Sequence, residues 1–477
     1  MSNQNEFTIG NSPENTYQIS NPCKKKIHLH VVPLSAVEYI IHNHSDNQKN
    51  LIVDRQPVIM ARVDKFTPLQ LGEVFFTLGE LIRNRYFLSH HKSFSNQFQT
   101  EYTLERGKTY LAGASDQCDI MLPSPRVAWQ ALEIKSLINQ WEIYFISKHK
   151  KVIFSNGIVL RLGPYQLKLN KNGQLKTFIT TKDCLTIRNL EVLHPKKRSQ
   201  YLIRDFSLSI QAGEFMGIIG PSGAGKSTLL KAIRSIIPIK AGQIHLSHQD
   251  TRQHPDILKE IGFVPQDDVV IPELTVEENL RFATSLRLPA DWSSKAIEQI
   301  VNNLLDSLKL EKQRDSYCAN ISGGERKRVN LALELMLEPS FLLADEVCTG
   351  LSSLDTDNIL QHLRQIADHG KGIMLTIHSP DIEAFDLMDT LLVLDIGGLI
   401  AYYGPAQPDA IQYFARREHS PYKSPKLIFD VLEKKSVITG ERQTSAEQWH
   451  YDIYRNSHYY HDYIAAKLVE QEPGDSS

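Results

Sequence analysis

The chain has 477 residues, 41% of them hydrophobic, and its 53 Lys and Arg against 55 Asp and Glu leave a net charge of −2. That length predicts about three domains with buried cores, and the balanced charge excludes the global basic field of a nucleic-acid binder. Its five cysteines, scattered and odd in number, fit neither a disulfide framework nor a metal-ligand set, and no stretch reaches the roughly 18 apolar residues of a membrane span.

The first residues, Met1-Ser2-Asn3-Gln4-Asn5-Glu6, lack the basic and apolar regions of a signal peptide, so a cytoplasmic location is expected. The N-terminal part then repeats itself. The segment from Phe7-Thr8-Ile9-Gly10 to His28 aligns without gaps on the segment from Tyr110-Leu111-Ala112-Gly113 to Ala131, since 28 − 10 = 131 − 113 = 18. Each copy continues into an alternating apolar segment, 37–41 and 141–146, suited to a half-buried strand. Later, Leu71-Gly72-Glu73-Val74 and Leu162-Gly163-Pro164-Tyr165 recur in corresponding order. Two small β-sandwiches over 1–95 and 96–182 are predicted.

This pattern resembles the forkhead-associated (FHA) domain, which reads phosphothreonine through an Arg, a Ser and a late Asn. At the Arg position stand Asn11 and Ala114, and at the Ser position Lys25 and Ala128. The structural His is kept as His28 and replaced by Ala131, and the late Asn is found in the second copy alone, as Asn156 before Gly157. Without the Arg, the charge-assisted hydrogen bonds that hold a phosphate are lost. The resemblance therefore implies degenerate sandwiches used for docking or spacing, not for phosphopeptide capture.

At 220–228 the chain reads Gly220-Pro221-Ser222-Gly223-Ala224-Gly225-Lys226-Ser227-Thr228, between an apolar strand at 214–220 and a helix opening at Lys226. The glycines let backbone N–H groups crowd round an anion, and the helix start adds its positive dipole end. Lys226 reaches toward β- and γ-phosphates in such a loop, and the Ser227 hydroxyl completes a Mg²⁺ shell. A nucleoside triphosphate with Mg²⁺ is the expected ligand.

Four further signals follow in order. They are Gln266 after a short strand, Ser322-Gly323-Gly324-Glu325-Arg326-Lys327-Arg328 before a periodic helix, a buried strand ending in Asp345-Glu346, and an apolar strand leading to His378. The combination is similar to the ABC-type ATPase, an α/β P-loop NTPase with a helical subdomain. The wording at Phe263-Val264-Pro265-Gln266-Asp267-Asp268, Leu274-Thr275-Val276-Glu277-Glu278-Asn279-Leu280 and Ala401-Tyr402-Tyr403-Gly404-Pro405 resembles the White-like ABCG branch. The resemblance covers about 183–465 and implies an ATPase domain over 183–415 with a helical extension over 416–477.

The resemblance also implies roles. Strands ending side by side would deliver Lys226, Asp345, Glu346 and His378 to one sheet edge. ATP and Mg²⁺ are the implied cofactors, with Ser227, Gln266 and Asp345 about the metal. Glu346 would polarise the attacking water, Gln266 would sense the γ-phosphate, and His378 would donate to it. Ser322, Gly323 and Gly324 would form a second anion cradle that closes over the nucleotide of another subunit in a homodimer or heterodimer. Tyr201 is the nearest aromatic to stack on adenine.

Where the family writes Asp-Glu-Pro-Thr-Ser-Gly-Leu-Asp, this chain has Asp345-Glu346-Val347-Cys348-Thr349-Gly350-Leu351-Ser352. The Asp that signals across the dimer is thus Ser352, with Asp355 three positions on, which puts cross-subunit coupling in doubt. Cys348 reads as a small packing residue. The aromatic-rich tail around 449–460 fits either a helix beside a membrane partner or a plain packed helix. The expected function is that of the ATP-hydrolysing subunit of an export-type, ABCG-like transporter, held at the inner face of the cytoplasmic membrane by a separate transmembrane permease subunit. The alternatives are a soluble ABC ATPase and an interaction protein whose FHA-like pair does the work.

Overall fold

The structure is a computed structural model. It describes the strands between Phe7 and Phe76 and, short loop stretches aside, residues 101–470. The chain divides into two compact units: Met1–His90 with Cys184–Asp250 and Leu360–Ser477, and His91–Asp183 with Thr251–Ile359.

In the first unit the strand Phe215–Ile219 is buried along its whole length, as expected of an apolar run covered on both faces. It lies between two parallel neighbours, Gly372–Thr376 and Thr390–Asp395, and Leu399–Pro405 adds antiparallel to the latter. A second, antiparallel sheet joins Cys184–Leu193 to Tyr201–Gln211 and to Ala241–Leu246. The tail is built into this unit. Trp449 and Tyr454 are buried, with the Trp449 ring 5.5 Å from that of Phe414. Arg442 bonds the buried Asp395 at 2.7 Å and Arg455 bonds Asp205 at 3.0 Å. Of the two roles open to the tail, its main aromatic side chains thus take the packed one.

The second unit holds the parallel pair Ile261–Val264 and Phe341–Asp345, the helices Val276–Arg287, Ser294–Ser307 and Gly323–Leu335, and the sheets of the second repeat copy. The internal repeat is visible as register. Phe7 pairs with Val31 and Ile9 with Tyr17; Tyr110 pairs with Ile134 and Ala112 with Ile120. Each pairing is the other moved by 110 − 7 = 134 − 31 = 103 residues. Both sheets begin with one parallel and one antiparallel neighbour of the same strand. The next hairpin is one residue longer in the first copy, spanning 43 − 29 = 14 positions against 145 − 132 = 13. The later segments match as well, with Leu71 opposite Val74 and Leu162 opposite Tyr165. Of the phosphate-reading positions, Asn11, Lys25 and Asn156 lie outside the described residues.

One buried charge cluster ties the core of the first unit together. The Asp389 carboxylate accepts the Phe215 amide at 2.8 Å and faces Arg364 at 3.1 Å, both side chains being almost wholly buried. Removing the cation would strand a buried carboxylate, a loss of about 3–5 kcal/mol. Arg364→Ala is therefore expected to lower unfolding stability by that amount, read as a shift of the denaturant midpoint at unchanged slope.

Candidate functional site: a phosphate loop and a glycine-led helix

The predicted site residues fall in two sets. Tyr201, loop 220–228 and His378 belong to the first unit, and Gln266, Ser322, Gly323, Gly324, Asp345 and Glu346 to the second.

In the first set the loop leaves the buried strand Phe215–Ile219 and enters the helix Lys226–Ile233. Gly225 caps that helix at φ 98°, in the left-handed region. A Cβ there would come within 2.6 Å of the Leu202 carbonyl oxygen and 2.9 Å of Ile203 Cδ1, so no larger residue fits without displacing backbone. Lys226 is buried, 7% exposed, and its ammonium donates to the carbonyls of Gly220 at 2.9 Å and Pro221 at 3.2 Å. The cation is thereby held inside the loop it follows. Ser222 and Gly223 are exposed, Ala224 is buried, and Ser227 and Thr228 are half-buried in the first helical turn. His378 stands two residues past the strand Gly372–Thr376 and is exposed. The Tyr201 hydroxyl bonds Lys240, whose ammonium lies 4.6 Å from the ring centre.

In the second set, Asp345 ends a strand buried at every position and is itself buried. Glu346 follows at φ 48°, a left-handed conformation that a non-glycine residue adopts at a cost and that recurs at functional positions. Its carboxylate accepts from the Thr349 hydroxyl at 3.4 Å, and its carbonyl accepts the Thr349 amide at 3.0 Å. Cys348 packs nearby, and burial pushes its thiol up to about 12, so it stays neutral near pH 7.

The helix Gly323–Leu335 opens on a capping box. Ser322 Oγ accepts the Glu325 amide at 3.2 Å, and Glu325 accepts the Ser322 amide at 2.8 Å. Those reciprocal bonds fix the helix start, where the dipole favours an anion. The same helix grips the segment after the Ile261–Val264 strand. Lys327 donates to the Gln266 carbonyl, while Asp268 takes Asn330 at 2.8 Å, Lys327 at 3.0 Å and Arg326 at 3.2 Å. Gln266 itself is exposed.

Sequence reasoning passed over this grip. Its only local trace is the spacing of Lys327 and Asn330, three apart on one helix face. At the position where Asp was expected, Ser352 Oγ donates to Asp355 at 2.8 Å and accepts the Asp355 amide at 3.1 Å. A Cβ on Gly324 would lie 2.6 Å from Asp355 Oδ1, so Asp355 packs against the glycine turn of its own chain. The Ser-x-x-Asp spacing is a capping signature legible in the sequence.

The family model for the ABC transporter matches residues 203–349. The chain is 40% identical to ABC transporter G family member 28 of Arabidopsis thaliana over 219 residues, 44% of this chain and 20% of that protein. It is 37% identical over 205 residues to the ABC transporter ATP-binding/permease protein Rv1747 of Mycobacterium tuberculosis, covering 43% of this chain and 24% of the relative. It is also 37% identical over 225 residues to the mouse broad substrate specificity ATP-binding cassette transporter ABCG2, covering 45% and 34%. The chain spans about a third or less of the length of these relatives. Residues 203–349 are therefore an ABC transporter ATPase domain, and its relatives include transporters of the G family.

Proposed function

We propose that the chain binds and hydrolyses ATP to drive a membrane-spanning permease of the export type, as a motor of ABCG kind. The observation that carries this reading is loop 220–228: a glycine-built turn that a Cβ would block, ending in a helix start, with a buried ammonium held among its carbonyls. That is an anion cradle with its counter-charge in place. The family match over 203–349 supports the same reading. Among the described residues no helix is long and apolar enough to cross a membrane. We take the permease to be a separately encoded subunit that holds this chain at the inner membrane face. One named relative is described as ATP-binding/permease, so co-purification in detergent decides between a second polypeptide and a longer form of this one.

In this reading the chain is organised as FHA-like modules over 1–95 and 96–182, the ATPase over 183–415, and a helical extension over 416–477. The donor set suits Mg²⁺, since the Ser227 hydroxyl, the Gln266 amide and the Asp345 carboxylate are hard oxygen ligands. The ion would screen the phosphate charge. Lys226 binds the β- and γ-phosphates, and the loop amides orient them for in-line attack. Glu346 takes a proton from the attacking water, and its left-handed backbone and its bond to Thr349 aim the carboxylate. His378 donates to the γ-phosphate. By the family resemblance, Ser322, Gly323 and Gly324 serve the nucleotide of a second subunit, and the Ser322 hydroxyl keeps its proton to donate while its oxygen caps the helix. Tyr201 stacks on adenine.

Lys226→Ala is expected to abolish ATP binding and to reduce turnover at least about 100-fold, and unchanged phosphate release would overturn the site assignment. Glu346→Gln is expected to keep ATP binding and to slow hydrolysis by about 10²–10⁴-fold. It should then form an ATP-dependent dimer on size-exclusion chromatography, and a monomer with ATP and Mg²⁺ would refute closure between two copies of this chain.

A further inference from the structure

Within the second unit, a loop of the second repeat copy is turned onto the ATPase segment. Arg126 Nη1 lies 3.2 Å from Glu260 Oε2, with the two side chains only 11% and 10% exposed. The Trp129 ring meets Trp292 edge-on at 5.3 Å, and Trp292 Nε1 donates to the Val127 carbonyl at 3.1 Å. The Gln130 amide donates to Asp291 at 3.0 Å. This is the stretch in which the FHA resemblance sets the phosphate-reading Ser, here Ala128. Its Val127 carbonyl, its Gln130 amide and its Trp129 ring are engaged by the chain itself.

Glu260 is where the contact gains leverage. It is the residue before the strand Ile261–Val264, and Ser340 is the residue before the strand Phe341–Asp345. The Ser340 amide donates to the Glu260 carbonyl at 2.8 Å, and its hydroxyl to the Glu260 carboxylate at 3.3 Å. The two strands then run in parallel register from Ile261 opposite Phe341 to Val264 opposite Ala344. At their far ends stand Gln266, and Asp345 with Glu346. A strand rises about 3.3 Å per residue, so a constraint at Glu260 is carried about 13 Å along the strand to Val264, two residues before Gln266.

We propose that Arg126 is a positioning residue for ATP turnover: it holds Glu260, and through Glu260 it sets the two strands that present Gln266, Asp345 and Glu346. The inference rests on the ATPase reading above for its kinetic consequence, and its structural half stands apart from it. Loss of the guanidinium removes a cation that lies 3.2 Å from a largely buried carboxylate. The carboxylate then turns toward water and loosens the Ser340 bonds that align the strand starts.

The test uses the full chain with Arg126→Ala, Arg126→Lys and Glu260→Gln. Steady-state ATP turnover is measured together with amide hydrogen exchange over 261–266 and 341–346. Arg126→Ala and Glu260→Gln are expected to lower kcat about tenfold while KM for ATP stays within about twofold. Arg126→Lys, which keeps the charge, should recover most of the loss, and exchange over 261–266 should quicken only in the first two. An unchanged kcat in folded Arg126→Ala, or a rise in KM alone, would overturn the proposal. If Arg126→Ala does not fold, Glu260→Gln decides by the same criteria, because it keeps the side-chain shape. If the wild-type chain turns over no ATP, the proposed function fails and exchange decides alone: unchanged protection over 261–266 refutes the positioning role, and faster exchange sustains it.

Discussion

Backbone amides can hold a phosphate only when something else keeps them still. An amide donor that has to be ordered on binding spends much of its interaction free energy on that ordering, whereas a preformed one does not. The two glycine-led helix starts at 225–226 and 322–324 are immobilised from behind. The first sits on a strand buried at every position and is pressed against the Leu202 carbonyl. The second is locked by the Ser322–Glu325 capping box and backed by Asp355. Glycine gives each turn its shape, and buried neighbours give it rigidity.

The same logic extends to the charged residues. Lys226 donates within its own loop, and Lys327 ties the helix Gly323–Leu335 to the Gln266 carbonyl. Asp268 gathers three cationic or amide donors from that helix. A carboxylate bonded in this way resists reorientation, and it ties the Gln266 segment to the helix Gly323–Leu335. Ser352 and Asp355 continue the pattern, since the hydroxyl and carboxylate satisfy each other within one chain. A carboxylate engaged in that way is less able to reach across to a second subunit than the Asp that the family pattern expects at 352.

What could be read from the sequence was whatever depends on neighbours along the chain. Glycine spacing at 220–225, the apolar runs at 215–219 and 341–345, and the Ser-x-x-Glu box at 322–325 are all local signals, and the structure carries each element. The repeat was legible because its two copies keep the same pairing register, so a constant offset in sequence became a constant offset in space. The grip of Lys327 on residue 266, 61 positions away, left only the Lys327/Asn330 spacing as a local trace, and the pairing of Arg126 with Glu260 left none. Coulomb attraction and burial act between groups that only folding brings together. The aromatic tail was ambiguous for a related reason. Tyr and Trp serve equally at a lipid interface and in a packed core, and it is contacts made on folding, such as the Phe414 ring, the Arg442–Asp395 bond and the Arg455–Asp205 bond, that favour the second use.

The docking loop of the second repeat copy also bears on how the chain comes to be folded. Domains tend to fold in the order in which they are synthesised, and residues 96–182 precede the segment that they contact. Arg126, Val127 and Trp129 stand on a sheet framework whose strands all lie before Ile179. That framework is finished before Glu260, Asp291 and Trp292 are made. If the second copy folds as it is made, the later segment emerges beside a template already synthesised, and its two strand starts have their electrostatic partner at hand.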